Sequence, residues 1–328
     1  MKIIIVTPAP PDSRYGNRVT ALRWARILRR LGHSVNVKQA YEGERIELLI
    51  ALHALRSHAS IARVHRDHPA IPIVVALTGT DLYRDLQRSK RAQRSLDLAT
   101  RIIVLQPKAL EALRPSWREK TRVIYQSVEA ITEKTHTSRV RPGASAAHQT
   151  FDVCVIGHLR AVKDPFRAAM AARMLPVSSR IRVIQVGAAM TPQQERRALA
   201  EMKTNPRYRW LGEQTSTRTR TMLSRSRLSV LSSRLEGGAN ALGESVVAGT
   251  PVLASRIPGS LGILGEDYPG YFETGATAEL GRLMTRAETD PAFLGELKRG
   301  CDQLVELFAP VREEASWLEL LDKLFQAT

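Results

Sequence analysis

Short unbroken apolar runs alternate along the chain with longer stretches whose apolar positions recur every third or fourth residue. "KIIIV" (Lys2 to Val6) reads as a central parallel strand, buried on both faces. The next periodic stretch, Arg18 to Leu31, predicts a helix. Leu22, Ala25, Leu28 and Leu31 share one face of it, and Arg23, Arg26 and Arg30 form a solvated face. Gly32 stops it. "HSVNVKQA", "IELLIAL", "IPIVVALT", "RIIVLQ" and "RVIYQS" follow as strands. Helices are expected from near His53 and over "LQRSKRAQRSLDLA". From Val128 to Gln149 the periodicity lapses into Ser, Thr, Pro and Gly, as an interdomain linker would. The alternation then restarts with strands "FDVCVIG", "RIRVIQVG", "YRWLG", "RLSVLSS" and "PVLAS", helices between them and helices to the end. Strand–helix alternation implies right-handed crossovers and doubly wound sheets. The predicted class is α/β with two Rossmann-like domains, residues 1–140 and 150–311, and a final amphipathic helix over 312–328.

Composition narrows the functional classes. At 328 residues, 43% apolar and 25% charged, the chain reads as an ordinary soluble protein with two cores. No apolar run approaches the ~20 residues of a membrane span. The start, "MKIIIVTPAPP", is too short a hydrophobic stretch for a signal peptide. Only two cysteines, Cys154 and Cys301, occur, with no Cys-x-x-Cys, which points to a reducing cytoplasm. The net charge of +17 attracts anions: nucleic acid, acidic lipid headgroups or phosphorylated small molecules. Aromatics are 5% and do not interleave with basic residues, so no nucleic-acid platform is expected. His53, His58, His65 and His68 lack the spacing of a helical metal site, and there is no Asp-x-Asp. Neither a metal nor a cofactor is expected.

The chemistry concentrates at Ser233–Ala254, "SRLEGGANALGESVVAGTPVLA". A strand delivers Glu236 to the carboxyl edge of the sheet, where open α/β sheets bind ligands. Gly237 and Gly238 permit a tight turn and close approach to a ligand. The helix from about Ala239 points free N–H groups back at that edge, an anion site formed by Gly238, Ala239, Asn240 and Ala241. Glu244 lies two turns in, so the two carboxylates can hold sugar hydroxyls on both sides of a bound diphosphate. "GHLRAVKDP" follows the first strand of this half and supplies His158, Arg160 and Lys163. Cations there stabilise a departing diphosphate. Gly16-Asn17, after the first strand of the chain, has the position of a glycine loop near the same group. Gln106 and Gln126 end strands as polar lining, and Trp210 and Trp317 read as core or interface residues and not as substrate platforms.

"SSRLEGGANALGESVVAGTPVLAS" resembles the Glu-x7-Glu signature of glycosyltransferase family 4, retaining enzymes of the GT-B fold, in which two such domains face a central cleft. "VIGHLRAVKDP" is similar to that family's diphosphate loop. The resemblance implies that Glu236 faces the donor sugar, Glu244 the ribose and Lys163 the diphosphate. The family's usual Arg after the loop glycine is His158 here, with Arg160 as its substitute. The last helix would cross back to the first domain, through Trp317, Leu320, Leu321 and Leu324, with domain closure about the linker and Pro310.

In the first half "GNRVTALRWARILRRLGHSV", "ALHALRSHAS", "LTGTDLYRDL" and "RIIVLQ" resemble the selenosugar synthases of selenoneine biosynthesis. That resemblance implies transfer from a UDP-sugar (UDP-GlcNAc or UDP-glucose) to selenophosphate, giving a 1-selenosugar. Selenophosphate is an anionic nucleophile that needs no general base. It needs a cationic pocket, for which Arg14, Arg18, Thr80, Asp81 and Arg84 are the candidates, Arg18 or Arg84 touching the phosphate. Two other readings stand beside it. One is a family 4 transferase with a hydroxyl acceptor, its basic charge held to a membrane surface. The other is a non-catalytic anion or nucleic-acid binder, against which Glu236, Glu244 and Lys163 argue.

Overall fold

A computed structural model describes residues 1–129 and 150–326. The predicted linker falls mainly on 130–149 and lies outside the described residues. The chain forms two compact units. The first comprises Met1–Ser127, Leu235–Asn240 and Leu307–Thr328, and the second Val128–Arg234 and Ala241–Glu306.

Six parallel strands make the sheet of the first unit: β1 (Lys2–Val6), β2 (Ser34–Lys38), β3 (Leu48–Leu52), β4 (Ile73–Ala76), β5 (Arg101–Val104) and β6 (Thr121–Val123). Their order is β2-β1-β3-β4-β5-β6, so the chain reverses direction across the sheet between β1 and β3. The unbroken apolar runs follow from burial on both faces. Ile4, Val6, Leu49 and Ala51 pack under α2 (His58–Asp67) and α3 (Lys90–Leu98). Ile3, Ile5, Leu48, Ile50 and Leu52 pack with α1 (Gly16–Arg30) and the last helix, Pro310–Phe325.

The buried stripe of α1 runs through Ala21, Trp24, Ala25 and Leu28. Leu22, predicted on this stripe, is 41% exposed, because Trp24 fills the centre of the face and rotates the helix about it. The helix predicted from near His53 begins only at His58. His53 itself has φ 76, which no helix accommodates. Likewise "LQRSKRAQRSLDLA" is helical from Lys90, preceded by a π-helical turn at Asp81–Asp85. The short α4 (Pro115–Glu119) leads into β6.

The second sheet contains β7 (Phe151–Ile156), β8 (Ile181–Val186), β9 (Tyr208–Trp210), β10 (Leu228–Leu231), β11 (Val252–Ser255) and β12 (Tyr271–Phe272). It is parallel throughout, in the order β12-β11-β10-β7-β8-β9, with its reversal between β7 and β10. Its helices are α5 (Arg167–Ala172), α6 (Pro192–Thr204), α7 (Ser216–Arg225), α8 (Asn240–Val247), α9 (Pro258–Leu264), α10 (Thr277–Thr289) and α11 (Pro291–Asp302). The last helix, α12 (Pro310–Phe325), belongs to the first unit. Trp317 is fully buried there, edge-on to Trp24 at 5.0 Å between ring centroids. Buried Glu313 accepts from Trp24 Nε1 and Ser127 N, each at 2.8 Å.

No helix among the described residues is long and apolar enough to cross a membrane. Among the same residues no three His, Cys, Asp or Glu side chains gather as a metal site would require.

Candidate functional site

The second sheet's reversal places the loops after β7 and β10 side by side at its carboxyl edge, where open α/β sheets bind ligands. Backbone bonds tie these loops together. Arg234 N donates to Val162 O at 2.8 Å. Ser232 Oγ lies 3.2 Å from Lys163 O and 2.9 Å from Asp164 O. Arg160 caps the 3-10 turn Ala161–Lys163, and left-handed Asp164 ends it. The Asp164 carboxylate accepts from Arg167 Nε at 3.0 Å and Nη2 at 2.8 Å. Its charge is thereby matched by Arg167. The stem of Lys163 passes over Gly157.

His158 stands where the resemblance implied an arginine. Ala188 N donates to its Nδ1 at 3.1 Å, so Nδ1 bears no proton and the neutral ring carries its hydrogen on Nε2. The residue is thus oriented as a donor, by a tautomer that the end of β8 imposes. Gln185, fully buried at that end, donates to Gly157 O at 3.0 Å and steadies the loop from beneath.

Glu236 is buried, 8% exposed, and the residues Leu235–Asn240 group with the first unit. A side chain at Gly237 would meet Thr78 C at 2.5 Å and Gly79 N at 2.7 Å. One at Gly238 would meet Leu105 Cβ at 2.5 Å. Neither glycine has positive φ. They are glycines because their backbone lies directly against the loops after β4 and β5, and the tight turn expected from the sequence is not what requires them. Gly79, with φ 133, contributes the opposing surface. Asn240 opens α8, and its Oδ1 accepts from Arg23 Nη2 at 2.9 Å. Arg23 was expected on a solvated face. It instead holds the first residue of α8, a role that helix periodicity does not reveal. Ala239 is buried, while Ala241 and Glu244 are half-buried on α8.

In the first unit the reversal between β1 and β3 brings together the loops that follow those strands. Gly16, Asn17 and Arg18 form the first turn of α1, with Gly16 opening the helix and nothing within 4 Å of its missing side chain. Arg18 Nε is buried without a hydrogen-bond partner among the described residues. Gln126, 6% exposed, turns its Nε2 to Thr20 Oγ1 and leaves Oε1 without one. Two orphaned polar atoms near the start of α1 fit a site built for a polar ligand.

Past β4, Asp81 is fully buried, and its two oxygens accept from three backbone N–H groups. These are Thr78 and Gly79 at 2.9 Å and Ala54 at 3.0 Å. Its work is to hold the loops after β3 and β4 together. Arg84 Nε pairs with Asp85 Oδ1 at 2.8 Å. Thr80, immediately before Asp81, is half-buried. Gln106, expected as lining, is instead fully buried, accepting from Ala109 N and donating to Tyr83 Oη. His53, one of four histidines close together in the sequence, brings its Nε2 to 3.3 Å from Thr80 Oγ1. Nothing in one sequence shows that a histidine will adopt a left-handed backbone.

None of the curated protein sequences matches the chain. Solved structures do. Anabaena Alr3699/HepE, crystallised with UDP and glucose, superposes with a TM-score of 0.77 at 17% identity, covering 98% of this chain and 100% of that one. Sucrose-phosphate synthase from Thermosynechococcus elongatus superposes with a TM-score of 0.77, also at 17% identity, with 100% of both chains covered. A glycosyltransferase from Rickettsia africae gives 0.74 at 11% identity, over 100% of this chain and 99% of the other. The two doubly wound units therefore have the GT-B fold expected from the sequence. The family of glycosyl transferases group 1 matches residues 139–311, more than half of the 328. On that match, the chain belongs to the group 1 glycosyl transferases.

Proposed function

We propose that the chain transfers the sugar of a UDP-sugar, UDP-GlcNAc or UDP-glucose, to selenophosphate and releases UDP. One observation carries the donor half of this reading. The loops flanking the reversal of the second sheet are tied together by the Arg234–Val162 and Ser232–Lys163 contacts, so Arg160 and Lys163 share an edge with the residues that leave β10. A diphosphate at that edge would meet two cations, the Nε2–H of His158 and the first N–H groups of α8. Glu236 and Glu244 would take the hydroxyls of sugar and ribose. The presence of UDP and glucose in the HepE structure supports the same choice of donor.

Selenium attacks C1 of the sugar, the bond from C1 to the β-phosphate oxygen breaks, and its electron pair leaves with UDP. Preorganised cations act on charge that grows in the transition state, and removing one such group costs roughly 10²–10³ in rate. Water must then cleave the selenium–phosphorus bond to leave the 1-selenosugar and phosphate. The orphaned Nε of Arg18 supports an anionic acceptor on the first unit, with Arg84 and Thr80 as further contacts.

The test incubates the protein with each UDP-sugar and selenophosphate and follows products by mass and anomeric NMR coupling. A selenosugar is expected, and Lys163→Ala should lower kcat by roughly 10²–10³. Sugar found only on a hydroxyl acceptor, or only on lipid, would overturn the acceptor assignment.

A further inference from the structure

Only two non-glycine residues among those described have positive φ, and one of them is His53, at 76°. Such a backbone costs a histidine free energy and persists where its surroundings impose it, commonly at functional positions. His53 follows β3 directly and so stands at the reversal point of the first sheet. It is 2% exposed. The backbone N–H of Arg56 donates to its Nδ1 at 3.3 Å. A backbone N–H can only donate, so Nδ1 bears no proton and the neutral ring carries its hydrogen on Nε2. That Nε2 lies 3.3 Å from Thr80 Oγ1 and 3.7 Å from Asp85 Oδ2, the second distance being beyond hydrogen-bond range.

A hydroxyl that accepts from the ring keeps its own hydrogen to give elsewhere. Thr80 is half-buried and follows Gly79, whose backbone touches that of Gly237 in the Glu236 turn. Asp81 pins Thr78, Gly79 and Ala54 with three bonds, so the hydroxyl is held on a fixed frame. We propose that His53 is a positioning residue whose Nε2–H turns the Thr80 hydroxyl into a donor aimed at an anionic oxygen of a phosphoryl-bearing acceptor. This rests on the reading that the first unit holds the acceptor. The left-handed backbone is then the means of bringing the ring beneath the Thr80 turn.

His53→Asn separates this role from a structural one. Asparagine is among the residues that tolerate left-handed backbone, and its Oδ1 can replace Nδ1 as acceptor for Arg56 N–H. It has no group that reaches Thr80. Thr80→Val removes the hydroxyl and keeps the shape. The measurements are Tm, the affinity for UDP, the KM for selenophosphate, and the rise in Tm caused by inorganic phosphate with UDP present. Both variants should keep Tm and UDP affinity and lose the phosphate-dependent rise. Each should raise the selenophosphate KM roughly tenfold to a hundredfold, as loss of a hydrogen bond to a charged group does. The double variant should be no worse than either single one, because both remove the same donor.

Additive effects, an unchanged KM in His53→Asn, or a parallel fall in Tm and UDP affinity would overturn the proposal. So would a wild-type protein that phosphate does not stabilise. If selenophosphate gives no product while phosphate still distinguishes wild type from both variants, the positioning role stands and the selenium reading fails. If turnover proceeds and neither variant affects it, the reverse holds.

Discussion

Cys154 and Cys301 show how placement decides chemistry at the residue scale. Both thiols are fully buried. Burial pushes the Cys154 thiol up to about 12 and raises that of Cys301 as well. The thiolate is the reactive form, and neither residue supplies it at neutral pH. Thiol reagents at pH 8 should therefore leave the native protein unlabelled and modify both cysteines once it is unfolded in guanidinium. Labelling of the native protein at the rate of the unfolded chain would contradict the burial. Histidines carry the opposite lesson. His53 and His158 are each set as Nε2–H donors by one backbone N–H. The sequence shows a histidine at each position and is silent on which nitrogen holds the proton, because the partner lies on another loop.

Elements explain the glycines. "EGG" invites a reading in terms of turn flexibility, yet the backbone of Gly237 and Gly238 is ordinary and their space is filled by Thr78, Gly79 and Leu105. A methyl group at Gly237 would collide with main-chain atoms, which cannot rotate away as a flexible side chain can. Overpacking of this kind costs about 1–3 kcal/mol and displaces the turn. Gly237→Ala is accordingly expected to lower Tm and to abolish most transfer activity. Gly295→Ala should be harmless or mildly stabilising. It lies within α11, where the nearest atom is the mobile end of Arg299 at 3.4 Å and alanine is the better helix former. Equal Tm values for wild type and Gly237→Ala would show that the turn is not seated where described. The helices themselves were legible from apolar spacing. Their starts at His58 and Lys90 were not: Ala54 N, ahead of α2, is bonded to Asp81 Oδ2 on another loop, and the backbone of Leu86, Arg88 and Ser89, ahead of α3, is bonded back to the Asp81–Asp85 turn.

For the whole molecule, the first unit is assembled from three pieces of chain, and α12 completes its core. Glu313 is 2% exposed and satisfies Trp24 Nε1 and the backbone of Ser127. Removing its carboxylate leaves these buried donors unpaired, at roughly 1–3 kcal/mol each. Glu313→Ala should thus lower the melting temperature of the first unit, and if the proposed donor site is right, UDP should still stabilise the second unit of the variant. A scanning-calorimetry trace in which both transitions shift equally, or neither shifts, would contradict that division. The predicted crossing of the last helix came from its apolar stripe of Trp317, Leu320, Leu321 and Leu324, all of which are buried. Glu313 gave no such signal, since a glutamate on an amphipathic helix reads as solvated until its partners are known.

Local order alone was enough to reveal two doubly wound units, a basic loop after β7 and a glutamate-bearing helix after β10. Strand and helix periods follow from which positions meet apolar surroundings, and the residues after a parallel strand necessarily emerge at its carboxyl edge. Tertiary structure decided what depends on a partner distant in sequence: the seating of Gly237 on Gly79, the hold of Arg23 on Asn240, the tautomers of His53 and His158, and the commitment of Asp81 to backbone. Each is a contact of short range in space and long range along the chain. A side chain's role in such a contact is set by the atoms it meets, and those are known only once the chain has folded.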